Sequence, residues 1–206
     1  MQNNKKMNSS NATIQLMQAL KQGKFLDVIN QGETLIKEYP SPYIIWNMIG
    51  EAAVNIGMLD KAVHAYNESI KLNPNYADTH SSIGLTLKMQ GKLNEAITAY
   101  KKSISIRPDN AATHSCLGNA YQAKGMFDKA INSYKKAISL NPDFDQAYNN
   151  LGIAFLNKEN IDQAHIAFNK ALSINKNFAE AYNNLSSVFM NQGKLDEAIS
   201  HCKMAI

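Results

Sequence analysis

An all-α fold of stacked helix pairs is what this sequence predicts, and three observations predict it. The chain of 206 residues repeats itself every 34. Counted from the start of each repeat, the eighth place reads Gly50, Gly84, Gly118 and Gly152. The twentieth reads Ala62, Ala96, Ala130, Ala164 and Ala198, and the thirty-second Pro74, Pro108 and Pro142. Such a period marks an array in which one supersecondary unit recurs. Within repeat 111–144, Leu117, Tyr121, Ile131, Tyr134, Ala137 and Ile138 follow the three- and four-residue spacing of buried helical stripes. Gly125 falls between the two stripes and Pro142 after the second, where a tight turn and a helix stop are needed.

Taken in order, residues 1–10 are mostly Asn, Lys, Ser and Gln with little to bury, which predicts a disordered tail ahead of a solenoid over 11–206. The first repeat, about 9–42, is degenerate. It keeps Gly23 and Pro40 but has Leu16 for the eighth-place glycine, Val28 for the alanine and Gly32 for the later aromatic. It reads as an N-terminal cap, weakened by about 1 kcal/mol where Gly32 sits inside a helix. Repeats 43–76, 77–110 and 111–144 keep the pattern. Asp60, Asn94 and Asp128, and later Asp162 and Asp196, are expected to cap their second helices. Gly118 and Ala130 are small because the paired helices approach closely there, so a bulkier residue should cost about 1–3 kcal/mol. Repeat 145–178 departs twice. Glu159 takes the turn-glycine place, with Asn160 beside it expected to tolerate the left-handed backbone, and Lys176 takes the proline place, which should loosen the local geometry. The sixth repeat, 179–206, is truncated inside its second helix.

Trp46, Ile49, Gly50, Ala62, Tyr66 and Pro74, and likewise Leu117, Gly118, Tyr121, Ala130, Tyr134, Ala137 and Pro142, resemble the tetratricopeptide repeat pattern over nearly the whole chain. The resemblance implies a right-handed superhelix of about six repeats, with first helices lining a concave groove and second helices forming the convex face. It identifies a scaffold fold rather than one activity.

Composition narrows the function. The net charge of +4 is modest, and Lys101, Lys102, Lys135 and Lys136 fall in second helices without interleaved aromatics, which reads as a solvated face and not a nucleic-acid patch. Cys116 and Cys202 lie more than two repeats apart, too far for a disulfide in a rigid stack; reduced thiols and a cytoplasmic setting follow. The start lacks the apolar stretch of a secretory signal, and no apolar run approaches a membrane span. No phosphate-binding glycine loop, HExxH or paired CxxC occurs, and Cys116 and His114 point to different helix faces, so no enzyme activity and no cofactor are expected. His80 and His114 share the fourth place with Trp46, Tyr148 and Tyr182, and are read as packing substitutes rather than metal ligands.

Binding is therefore expected on the first-helix face. The resemblance places groove residues at places two, five, six, nine, twelve and thirteen, which include Asn47, Glu51, Asn119, Asn149, Asn150, Asn183, Asn184 and Asn191. A side-chain amide both donates and accepts, so stacked amides suit the backbone of an extended peptide. The strings Tyr148–Leu151 and Tyr182–Leu185 resemble the repeats of O-linked N-acetylglucosamine transferases and of bacterial repeat proteins; that likeness carries an asparagine ladder onto Asn150 and Asn184, while Met48, Ser82 and Cys116 interrupt it. The basic clamp of chaperone-binding members is missing, since places two, five, six and nine hold no Lys or Arg. Two readings stand: a protein-interaction scaffold holding an extended peptide, or the non-catalytic recognition arm of a larger enzyme such as a glycosyltransferase or sulfotransferase. Ala198, Ile199, Cys202 and Ile206 fall on the core side of the last helix, so either a continuing chain or a second copy is expected to cover that end.

Overall fold

The computed structural model describes residues 2–38 and 42–205, without the side chains of residues 2–10 and of Asn191. Pro40 and Ile206, where the sequence places a helix stop and a core contact, lie outside the described residues. Among those described there are twelve helices and no strand. They form six pairs: α1 Gln2–Lys21 with α2 Phe25–Leu35, α3 Tyr43–Asn55 with α4 Leu59–Leu72, and α5 Ala77–Met89 with α6 Leu93–Ile106. Next come α7 Ala111–Ala123 with α8 Phe127–Leu140, α9 Asp145–Leu156 with α10 Ile161–Ile174, and α11 Ala179–Asn191 with α12 Leu195–Met204. The helices belong to two compact blocks, Met1–Pro108 and Asp109–Ile206. In each block the second helix of one pair packs against the first helix of the next, as α4 does on α5 and α8 on α9.

The expected close approach is present in both blocks. A β-carbon added at Gly118 would stand 2.5 Å from Cε1 of Tyr134, and one at Gly50 or Gly84 would meet the ring of Tyr66 or Tyr100. Ala62, Ala96, Ala130 and Ala164 are fully buried. Leu117, Tyr121 and Tyr134 are buried with them, but Ile138 is only half-buried, one helical step off the stripe that Tyr134 and Ala137 occupy. The first repeat inverts the pair: Leu16 is buried at the glycine place, and Gly32 is buried at the aromatic place against Ile45 and Ile49. Gly32 is thus a packing residue, because any side chain there would strike α3.

Four local expectations need correction. Residues 2–10, expected to be disordered, continue helix α1; with no Gly or Pro before Lys21, each added residue gains a backbone bond without a new nucleus. Asp60, Asp128, Asp162 and Asp196 are not caps: each lies in the first turn of its helix, where a carboxylate meets the positive end of the helix dipole. Asn94 is likewise inside the first turn of α6, whose cap is Lys92. Side-chain caps come instead from Asn110, which accepts from the Thr113 backbone N–H, and Asn160, which accepts from that of Gln163. At the fifth turn Glu159 itself takes the left-handed backbone at φ 58°, as the turn glycines do elsewhere, while Asn160 stays at φ −90°. Finally, Lys176 loosens nothing visible. Asn175 ends α10 with the extended backbone that Asn73, Arg107 and Asn141 adopt before proline, tied by Nδ2 to Asp145 at 2.9 Å and accepting from the Asn177 N–H.

Candidate functional site

In the first block the first-helix face carries exposed apolar side chains among its polar ones. Met17, Ile44, Leu85 and Met89 are all exposed there. Met17 and Leu20 of α1 and Ile44 and Met48 of α3 line a pocket of about 320 Å³, with Lys21, Asn47, Glu51 and Tyr76 at its polar positions. Glu51 is exposed. Asn47 only borders the pocket. Its Nδ2 donates to Oγ of Ser69 (2.6 Å) and to the Tyr43 carbonyl (2.9 Å), and its Oδ1 accepts from Oγ1 of Thr79 (2.7 Å). Ser69 and Thr79 are fully buried, so this amide ties α3, α4 and α5 together and its polar atoms are committed inside the fold. The exposed apolar residues stand at places two, nine and thirteen, where Asp78, Glu51, Lys21 and Asn55 also occur, so the sequence alone did not mark them out.

The second block carries the amides. Asn150 donates to Oδ1 of Asn119 across 3.0 Å, and Tyr134 donates to the same oxygen at 2.7 Å. Tyr134 also donates to Oε1 of Gln122. Burial pushes the Tyr134 hydroxyl well above the usual phenol range, with Cys116 adding to the shift, so it remains a donor to Asn119. Asn184 donates to Oδ1 of Asn149 at 2.9 Å, and Asn149 donates to Glu180 at 3.0 Å. The structure therefore joins the predicted residues in two pairs, Asn119 with Asn150 and Asn149 with Asn184. Asn149 is fully buried and is corrected to a residue of the repeat interface. Asn183 is exposed, and the side chain of Asn191 lies outside the described residues. His80 is buried with Nε2 2.8 Å from the Pro74 carbonyl, the satisfied packing role the sequence implied.

At the end of the second block, His201 stacks on Phe189 with ring centroids 5.1 Å apart, and His165 meets the other edge of that contact at 5.4 Å from Phe189. Tyr182 also stacks on His201, and Lys194 lies over Phe189. Desolvation, then the His165 charge, hold His201 below its ordinary value near 6.5. The unfolded chain therefore takes up the proton first as pH falls. The stability that neutral His201 gives is full above that ordinary value and is lost as pH drops through the lower folded one. The protection of α12 amides, taken relative to their intrinsic exchange rates, should fall as pH drops below His201's ordinary value, and His201→Phe should flatten the change. A pH-independent α12 in the unmodified chain would refute this. The same end exposes Met190, Leu195 and Ile199 around a pocket of about 200 Å³, and Met204 beyond it, while Ala198 is buried and Cys202 exposed.

A profile described as TPR repeat matches residues 50–91, 87–125 and 123–159, and profiles described as tetratricopeptide repeat match 145–178 and 167–200. The chain belongs to the tetratricopeptide repeat family. The crystal structure of MamA is 30% identical with a TM-score of 0.70, over 76% of this chain and 92% of that one. YrrB, described as a TPR protein with an unusual peptide-binding site, is 18% identical with a TM-score of 0.68, over 85% of this chain and 90% of that one, a likeness of fold. Protein O-mannosyl-transferase tmtc2 of Xenopus laevis is 31% identical over 71 residues, 33% of this chain. The match spans 8% of that protein's length. Repeats and neighbours together support a protein-interaction scaffold, the non-catalytic role typical of this fold. No helix of the described residues is long and apolar enough to cross a membrane.

Proposed function

We propose that this tetratricopeptide repeat protein holds an extended peptide segment on its first-helix faces. In the second block Asn119, Asn150 and Asn184 contact the peptide backbone; in the first block the exposed apolar side chains of the first-helix face, with Glu51 beside them, form a peptide surface of that block's own. The observation that carries this reading is the bonded pairing of the amides. Asn150 and Asn184 each donate one bond through Nδ2, which fixes the amide plane and leaves a second hydrogen and Oδ1 for a peptide backbone. Asn119, whose Oδ1 accepts from both Asn150 and Tyr134, offers its Nδ2 as a donor to a backbone C=O. The setting is cytoplasmic, in keeping with the free thiols Cys116 and Cys202. A partner captured on the purified chain and identified by mass spectrometry should bind the Asn119→Ala, Asn150→Ala, Asn184→Ala triple variant at least about tenfold more weakly, from about 1 kcal/mol per hydrogen bond lost. An unchanged Kd would reduce the amides to ordinary surface.

The stretch similar to an O-mannosyl-transferase favours a second reading, the recognition arm of a larger glycosyltransferase assembly. Mannosyl transfer that co-purifies with the chain from its native source would support it, and complexes devoid of glycosyl transfer would remove it. Self-association through the α12 end rests on the apolar residues exposed there. Sedimentation should show an oligomer that Leu195→Glu with Ile199→Glu dissolves; a monomer at all concentrations refutes it.

A further inference from the structure

A different face of the second block carries an inference that does not depend on the peptide reading above. On the second-helix side, Tyr148, Leu151 and Phe155 of α9 floor a groove of about 510 Å³, bounded by Lys135 of α8 and by Ile166 and Lys170 of α10. Three features set it apart. Ile166 is 59% exposed, and it occupies the twenty-second place, which holds Asn30, His64, Thr98, Asn132 and Ser200 in the other repeats. An aliphatic side chain facing water at a place otherwise polar is the kind of exception that marks contact with another molecule. The rim charge is of one sign: Lys135 and Lys170 are exposed, and no carboxylate lines the groove. The acids of the two bounding helices, Asp128 and Asp162, lie in first turns, and Asp128 is already paired with Lys158. Lys135 Nζ lies 5.8 Å from the centre of the Phe155 ring, so the positive rim and the apolar floor are contiguous.

The first block supplies an internal contrast. Ile83, Leu87 and Lys102, which stand 68 residues before Leu151, Phe155 and Lys170, line a groove of about 450 Å³. There Glu95 stands where the second block has Gln163, and Thr98 where it has Ile166. The shape comes with the repeat, while the exposed aliphatic and the unopposed positive charge belong to the second block.

We propose that this groove docks a short acidic segment of a protein partner, with an apolar side chain seated over Leu151, Phe155 and Ile166 and flanking carboxylates meeting Lys135 and Lys170. The probe is an end-blocked peptide of the pattern Glu-Glu-Leu-Phe-Glu-Glu, titrated calorimetrically into the full chain. One saturable site is expected, weakened by salt. Ile166→Thr should reduce affinity about tenfold or more. Lys135→Glu with Lys170→Glu should abolish binding, and the Asn119, Asn150, Asn184 triple alanine variant should leave it unchanged, which separates this site from the first-helix face. Circular dichroism checks that each variant stays folded. Asn67→Lys with Glu95→Gln and Thr98→Ile should raise the stoichiometry from one site to two, since Asn67 stands where the second block has Lys135. The proposal is overturned if no saturable binding occurs, or if the Ile166 and lysine variants bind as the unmodified chain does. It is equally overturned if the glutamine version of the peptide binds as tightly, or if a single-stranded oligonucleotide outcompetes the peptide at the same lysines.

Discussion

Replacing Gly118 by leucine and Tyr134 by glycine together should destabilise the second block much less than the sum of the two single changes. Alone, Gly118→Leu drives a side chain into the Tyr134 ring, which is fully buried and has Cε1 only 2.5 Å from where the new β-carbon would sit. Overpacking of that kind costs about 1–3 kcal/mol. Alone, Tyr134→Gly empties the largest volume in the pair interface and should cost at least the roughly 3–5 kcal/mol of an aromatic truncated to alanine. Combined, leucine enters the space that the ring leaves. The first repeat shows that the two places tolerate a buried leucine and a buried glycine, Leu16 and Gly32, although there α3 covers Gly32 through Ile45 and Ile49. Urea unfolding of all four forms should give a favourable coupling of at least about 1 kcal/mol. Strict additivity would mean that the two places do not share one volume.

That exchange of sizes shows what a single sequence makes legible. The period, the paired helices and the turn glycines all appear, because a repeat imposes the same backbone at the same places and only certain residues fit. The 34-residue register locates α3 to α12 to within a residue or two. The first repeat looked merely degraded, since the sequence pattern does not show that Gly32 is required by the close approach of Ile45 and Ile49 from α3. Residues 2–10 were read as disordered for lack of apolar groups, yet the backbone continues a helix already nucleated downstream. At Glu159 the choice between two adjacent residues for one left-handed position was not encoded in their types. It was settled when Asn160 used its side chain as the α10 cap.

The candidate site was legible in composition but not in partnership. Sequence places label a face, whereas a hydrogen bond depends on rotamers and on what the next repeat offers. Asn149 and Asn150 are neighbours in one string; one is fully buried against Glu180 and Asn184, and the other reaches back to Asn119. Likewise Ile166 drew no notice within α10, because an isoleucine among apolar residues signals exposure only once its five counterparts are compared.

Asn47→Ala is the substitution that most sharply separates a groove residue from a residue of the fold. The change removes two donated bonds, to Ser69 and Tyr43, and the acceptor for Thr79, whose side chain is fully buried. Ser69 keeps the Tyr43 carbonyl at 3.0 Å, and Thr79 is left with only a longer contact to Oγ of Ser69 at 3.4 Å. Leaving a buried hydroxyl with this long contact alone, on top of the lost bonds, should lower stability by about 2–3 kcal/mol. Exposed Glu51, one helical turn along the same face, should tolerate alanine within about 0.5 kcal/mol. Peptide affinity, measured where both variants are fully folded, should follow the opposite order, with Glu51→Ala the more affected. Thr79→Val placed on top of Asn47→Ala should recover part of the loss, since it removes the group left with that long contact while keeping its shape. An Asn47→Ala protein with an unchanged urea midpoint and a weakened peptide complex would return this amide to the groove and refute its assignment to the repeat interface.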